Sequence, residues 1–345
     1  MIDPSSLKGY NSSMLERDKI ELFPTINVRN TVLWQNPDIF APFDLSIGKT
    51  CNLGVFLVRP QSDNIDRLKL EVDPIHHRCG LLGRVKIGDT QGNIYRDIDL
   101  KGVGYVALAR NTDKTLVFDI RKRGEEDTWG TWRDDKALRE RDITEFLARR
   151  GVRTNRMIAI IELEELALSN GELLTIKEAK KRGLLRATEK PVIGVRAFRM
   201  RDRVRHQEKQ DPTVFFAAKE VVEEENGLKL RWDEYIFWIA MTLGKNLGLI
   251  HKSGYWHGIP SPHNITLAGE IVDFGFGEGS KRLEDLPFSR AQQCKQLDIS
   301  QTRDTVTQLM LRLADLDLVS LCNATLLQTF EIFEDNYREH LSTKS

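Results

Sequence analysis

From Asp66 to about residue 200 this chain carries several short segments whose apolar residues recur at every second position, and past Pro212 they recur mainly at every third or fourth. That change of period limits the fold more than any single motif does. Residues 68–72, 82–87 and 94–100 alternate as antiparallel strands, and the Gly-Asp-Thr-Gln-Gly-Asn link at 88–93 reads as the turn between the last two. Leu116-Val117-Phe118-Asp119-Ile120 adds a candidate strand, and the charged run 121–133 reads as an exposed excursion. Residues 157–161 and 192–195 are strand-like again. Ahead of these two segments lies a helix over 134–149, which Asp134 or Asp135 can cap and Gly151 can stop. The clearest helix runs from Trp232 to Lys252, with Ile239, Leu243, Leu247 and Ile250 on one stripe. Val306, Leu309, Leu313 and Leu316 continue the helical period. Strands first and helices after predict an α+β chain of two lobes, a β-rich N-lobe over 66–205 and an α-helical C-lobe over 206–345. Residues 1–65 read as an irregular extension with a few strands.

Lys plus Arg equals Asp plus Glu at 51 each, so no global basic field prompts a nucleic-acid partner. The arginines at 199, 201, 203 and 205 alternate along a possible strand, where they would present a cationic face to phosphates or, less well, to nucleic acid. Four cysteines without C-x-x-C spacing fit a reducing, cytoplasmic compartment better than a disulfide framework. His76, His77 and Cys79 are close in sequence, but neighbours on a strand face opposite ways, which argues against a shared metal. No apolar stretch approaches the length of a membrane span, and residues 1–19 lack the order of a signal peptide, so no membrane partner is expected.

Chemistry concentrates between residues 251 and 275. His251 closes the long helix, His257 and Asn264 follow seven residues apart, and a short apolar stretch ends in Asp273-Phe274-Gly275. This is the order of a kinase catalytic loop and metal-binding loop. An Asn carbonyl and an Asp carboxylate are hard oxygen ligands, suited to Mg²⁺ held against the phosphates of ATP, which makes Asn264 and Asp273 the candidate metal ligands. A kinase site also needs a strand lysine on the phosphates and a helix glutamate to orient it, and Lys101 and Glu145 occupy those places in the order. The glycines from Gly80 to Gly92 fit a loop over phosphates or an ordinary hairpin equally.

Three stretches then carry a resemblance: Leu100-Lys101-Gly102-Val103-Gly104, Arg141-Asp142-Ile143-Thr144-Glu145-Phe146-Leu147, and Gly151-Val152-Arg153-Thr154-Asn155-Arg156. With Arg196 and Arg203 seven residues apart, and nine residues from Asn264 to Asp273, the chain resembles the selenoprotein O family of atypical protein kinases over about 80–280. The resemblance implies a two-lobed protein-kinase-like fold that binds ATP and Mg²⁺ and passes AMP to protein hydroxyl groups. Lys101, Gly102, Arg196 and Arg203 would then bind the nucleotide, Glu145 would orient Lys101, and Asn264 and Asp273 would hold the metal. The chain departs from the pattern in two places. Ile259 stands where kinases carry the catalytic Asp, and His263 stands where the resembled family carries an Asp before its Asn. A neutral His263 can serve as the base, or it can merely pack the loop. The readings left open are an adenylyltransferase acting on a protein substrate, a pseudokinase working as a nucleotide-binding interaction module, and a conventional phosphotransferase.

Overall fold

The computed structural model describes residues 21–59, 68–72, 79–104, 119–120, 128–168, 170–205, 212–274 and 282–342. His76, His77, Leu116 to Phe118, part of the charged excursion and Gly275 lie outside the described residues. The chain is a mixed α+β structure that divides into two compact units. Unit 1 comprises residues 1–139 and 157–197, and unit 2 comprises residues 140–156 and 198–345.

Unit 1 is built on a nine-stranded sheet. Its strands are β1 (Glu21–Asn27), β2 (Asn30–Gln35), β3 (Val55–Leu57), β4 (Lys69–Val72), β5 (Cys79–Gly88), β6 (Ile94–Lys101), β9 (Trp132–Arg133), β10 (Arg156–Leu163) and β13 (Pro191–Phe198). They lie in the order β2-β10-β13-β6-β5-β4-β1-β3, with β9 paired to β13. The ladders β2–β10, β5–β6, β4–β5, β1–β4, β1–β3 and β9–β13 are antiparallel. Two hairpin-like pairs stand apart, β7 (Asp119–Ile120) with β8 (Thr128–Trp129) and β11 (Glu165–Ala167) with β12 (Leu173–Thr175).

The β5–β6 turn is held by Asp89, whose Oδ1 accepts the amides of Gln91 and Asn93 at 3.0 and 2.9 Å while Tyr95 donates its hydroxyl to Oδ2 at 3.0 Å. That turn fixes the register in which Lys101 lies opposite Cys79. The glycines of this region therefore belong to a hairpin, the plainer of the two sequence readings; a Cβ on Gly80 would stand 2.8 Å from the side chain of Leu70.

Two expectations change. Residues 21–59 are no extension, because β1, β2 and β3 supply sheet strands, and β2 and β3 form its two ends. Asn30 locks this segment internally: its amide donates to the carbonyls of Val28 and Cys51 and accepts from the Cys51 N–H, against a glycine, Gly54, where any Cβ would collide with it. The boundary between units also falls at 197/198 rather than 205/206, and residues 140–156 cross to unit 2. The helix α1 (Asp134–Arg149), foreseen with these limits, is divided between the units after Arg139. Helix α2 (Ile176–Lys181) completes unit 1, closed by a reciprocal cap between Thr175 and Glu178.

Unit 2 contains α3 (Thr213–Asn226), α4 (Trp232–Lys252), a 3-10 turn at Leu283–Asp285, α5 (Phe288–Asp315) and α6 (Asn323–Ser342). Glu234 reaches back to the Arg231 amide at 2.7 Å to start α4, and Gly254, at φ 80°, turns the chain after it. The apolar stripe of α4 packs with Phe215, Val222, Leu309, Leu313 and Phe333 in one buried core. No helix among the described residues is long and apolar enough to cross a membrane.

Candidate functional site

The segment from His257 to Phe274 forms a loop and a tight hairpin within unit 2. Ile265 and Ile271 bridge across the hairpin, Thr266 donates its amide to Glu270 O at 3.0 Å, and Val272 donates to Asn264 O at 3.0 Å. The last bond sets the backbone of Asn264 beside the residue preceding Asp273. Asn264 donates Nδ2 to Ile259 O at 2.9 Å, which closes the loop and leaves its Oδ1 as the acceptor end of the amide. Asp273 has φ 65°, a left-handed conformation that costs an L-residue about 1 kcal/mol and that Asp tolerates better than most. An unfavourable backbone at this position holds the carboxylate where the chain would not otherwise put it.

Buried polar groups secure the segment from three sides. Asp298, wholly buried on α5, accepts the amides of His257 and Gly258 at 2.7 and 2.8 Å and meets His251 Nε2 at 3.1 Å. His257 accepts the Ile259 amide on Nδ1 at 3.2 Å, so its proton sits on Nε2 and is donated to Val272 O at 2.8 Å. Its ring meets Phe274 edge-on with centroids 4.8 Å apart. Burial pushes both His251 and His257 below the ordinary histidine range, so both rings are neutral near pH 7.

On a second side, Glu270 accepts the amides of Arg199 and Met200 at 3.0 and 3.3 Å and the Thr266 hydroxyl at 3.3 Å. Burial pushes its carboxyl up, against the nearby guanidiniums of Arg199 and Arg153. On the third, Asn246 of α4 accepts the Arg153 amide at 2.8 Å and donates to Gly269 O at 3.1 Å.

Arg203 is 1% exposed, donates to His263 O at 2.8 Å and lies 3.4 Å from Asp273 Oδ2. It thus joins two residues that the sequence had singled out separately. The expected cationic face is corrected: β13 ends at Phe198, and Arg199, Arg201 and Arg203 are all buried, Arg199 against Glu225 and Glu270. Only Arg205 of the four is exposed. Glu145 is 6% exposed and takes Nε and Nη2 of Arg156 on Oε2 at 2.9 and 2.7 Å. Ile259, by contrast, is 51% exposed at the head of the loop.

The remaining sequence candidates belong to unit 1. Lys101 is buried at the end of β6 with Nζ 4.4 Å from the centre of the Trp132 ring, a cation–π contact. Gly102, at φ 103°, follows it; a Cβ there would lie 2.4 Å from Val192 O, so no other residue fits. Arg196 differs from the expectation of an open phosphate ligand. It is fully buried, forks onto Asp99 at 2.9 and 2.8 Å, and reaches Cys79 Sγ at 3.4 Å. A guanidinium so paired is committed to a carboxylate of its own unit.

Asn264 and Asp273 fit Mg²⁺ by donor chemistry, being hard oxygen groups from adjacent chain segments, one with its amide nitrogen already engaged and the other held by an unusual backbone. No group of three or more His, Cys, Asp or Glu side chains suited to a metal occurs among the described residues. A two-ligand Mg²⁺ site completed by phosphates and water does not require one. Sequence reasoning missed Asp298, Glu270 and Asn246. Asn246 and Asp298 lie on the buried stripes of their helices among apolar or small residues, whereas Glu270 sits in a turn with no period to break. The chain matches no protein-family model and no curated protein sequence.

Proposed function

We propose that the protein binds ATP with Mg²⁺ and transfers AMP to hydroxyl groups of a protein substrate, in the manner of the selenoprotein O family that its sequence resembles. The observation that carries this reading is the pairing of Val272 N with Asn264 O at 3.0 Å, next to a left-handed Asp273: the backbones of two residues with oxygen-bearing side chains are brought near one another at a conformational cost. Mg²⁺ bound there would neutralise phosphate charge and orient the phosphates for displacement. Asn264 and Asp273 would hold it, and Arg203 would keep Asp273 and the His263 carbonyl in place. Lys101 and Gly102 are assigned to the nucleotide on the resemblance, with Glu145 orienting Lys101. Arg196 is assigned a supporting role through Asp99, since its fork is occupied. His263 would accept the proton of the acceptor hydroxyl, the task for which a neutral imidazole is suited.

A second reading has one observation in its favour. Ile259 projects an apolar, half-exposed side chain at the position where a kinase carries its catalytic Asp, which fits a pseudokinase that binds nucleotide and acts as an interaction module. Incubation with ATP labelled at the α- or the γ-phosphate separates the readings. Covalent label from α alone supports AMP transfer, and label from γ alone replaces it with phosphotransfer. Absence of both, with ATP still raising thermal stability in a Mg²⁺-dependent way, supports the pseudokinase. Absence of both together with no such stabilisation removes the nucleotide reading altogether.

A further inference from the structure

On α4 the residues Gly244, Gly248 and His251 fall four and three apart, on one face of the helix. Against that face lies α6. A Cβ on Gly244 would stand 2.2 Å from Phe333 O, and one on Gly248 would stand 2.6 Å from Tyr337 O, so the two glycines admit α6 to backbone contact. This approach sets the Tyr337 ring edge-on to His251, with centroids 5.6 Å apart and the hydroxyl 3.0 Å from Nδ1.

The donors and acceptors from there on have one consistent assignment. Asp298 accepts the Gly258 amide on Oδ1 and the His257 amide on Oδ2, and a carboxylate has no proton to give, so His251 Nε2 must be the donor at 3.1 Å. Burial keeps the imidazole neutral, so Nδ1 is a lone pair and the Tyr337 hydroxyl must donate to it. The phenol can do so throughout the working range, because burial pushes its pKa up to about 12. The donors therefore converge on Asp298: Tyr337 O–H donates to His251 Nδ1, His251 Nε2–H donates to Asp298, and the amides of His257 and Gly258 donate to the same carboxylate. From His257 a further bond runs through Nε2–H to Val272 O, one residue before Asp273.

We infer that Tyr337 is a positioning residue, through which the C-terminal helix α6 holds the loop at 257–264 and, by way of His257, the backbone ahead of Asp273. The inference rests on the reading of that loop as the working part of the protein, but its structural content is separable. The full chain without nucleotide is sufficient for the test. Nitrogen NMR of the His251 ring identifies which nitrogen bears hydrogen, and amide exchange reports the hold on His257 and Gly258. The wild type should show hydrogen on Nε2. Tyr337→Phe keeps the ring and removes the donor; it should move the Nδ1 resonance and speed exchange at His257 and Gly258 by up to about tenfold, the effect of one lost hydrogen bond. Exchange in β10 of unit 1 should not change. Phe333→Leu trims the same helix without touching the bonds, and should leave the Nδ1 resonance and the two amides as in the wild type. Hydrogen on Nδ1 in the wild type overturns the inference even if no variant folds. Unchanged exchange at His257 and Gly258 in Tyr337→Phe overturns it too, as does Phe333→Leu reproducing the full Tyr337→Phe pattern. None of these readouts involves ATP, so a failure of the labelling experiment leaves the inference standing, and the reverse holds.

Discussion

Asp273 combines a left-handed backbone with a carboxylate beside the buried Arg203, and substitutions at this one residue can separate the two. Asn tolerates the same backbone, so Asp273→Asn removes charge alone. It should abolish the Mg²⁺-dependent part of ATP stabilisation and lower the stability of the nucleotide-free protein by about 1–3 kcal/mol, since the buried Arg203 guanidinium loses the charge of its carboxylate partner. Asp273→Ala carries in addition the cost of a Cβ residue at positive φ, about a further 1 kcal/mol. Denaturant titration with and without ATP and Mg²⁺ measures both, and equal stability of the two variants would mean that the backbone strain is absent. Asn264 and Asp273 stand out in the sequence through their residue types and the nine-residue spacing between them. Asp298 and Glu270 do not: Asp298 looks like any solvated charge on a helix until residues 40 positions away are folded onto it, as Gly258 is. Arg196 was misleading for the same reason, its partner Asp99 lying 97 residues away.

Among the elements, two helices were readable in their extent, α1 at Asp134–Arg149 and α4 at Trp232–Lys252, the second with its own cap and apolar stripe, whereas α5 and α6 showed only as a helical period. The sequence predicted a few strands before residue 65 but not that they belong to the main sheet: β3 is buried at every position, so it shows no alternation, and β2 pairs with residues more than a hundred positions on. The contact of α4 with α6 gives the sharpest test at this scale. Gly248→Ala places a methyl against the Tyr337 backbone, which cannot yield without moving the helix, and should destabilise by about 1–3 kcal/mol. Lys245→Ala, on the exposed face of the same helix, should change stability by less than about 0.5 kcal/mol. Urea unfolding of both variants checks the difference, and a Gly248→Ala protein as stable as the wild type would show that α6 can lift away freely.

For the molecule as a whole, the two neutral histidines make stability depend on pH with a definite sign. In the unfolded chain His251 and His257 take up protons near pH 6.5, whereas in the folded chain burial holds both below that value. Stability should therefore be unaffected by them above about pH 7.5 and fall as pH drops through 6.5, by at most about 1.4 kcal/mol per unit for each ring. Glu270 works the other way: its raised carboxyl pKa contributes stability that is full below its unfolded value and lost as pH rises through the folded one. Measuring the profile from pH 7.5 to 5.5 in the Glu270→Gln variant isolates the histidines, and a flat line there would contradict their buried neutral state.

The edge strands of the sheet also have a temporal consequence. β2 must wait for β10, as Asn30 meets Leu163, and β13 completes the sheet only when residue 198 has been made. Meanwhile residues 140–156, already synthesised, belong to a unit whose helices have not yet left the ribosome. The nascent chain thus carries β2 and one side of β6 unpaired until β10 and β13 have been made, the condition in which aggregation competes with folding. A fragment ending at Arg139, which lacks β10 and β13, should show no cooperative unfolding, whereas one ending at Phe198 contains every strand of the sheet. Helper proteins that shield exposed strand edges should accordingly matter more to the yield of this protein than its helical half would suggest.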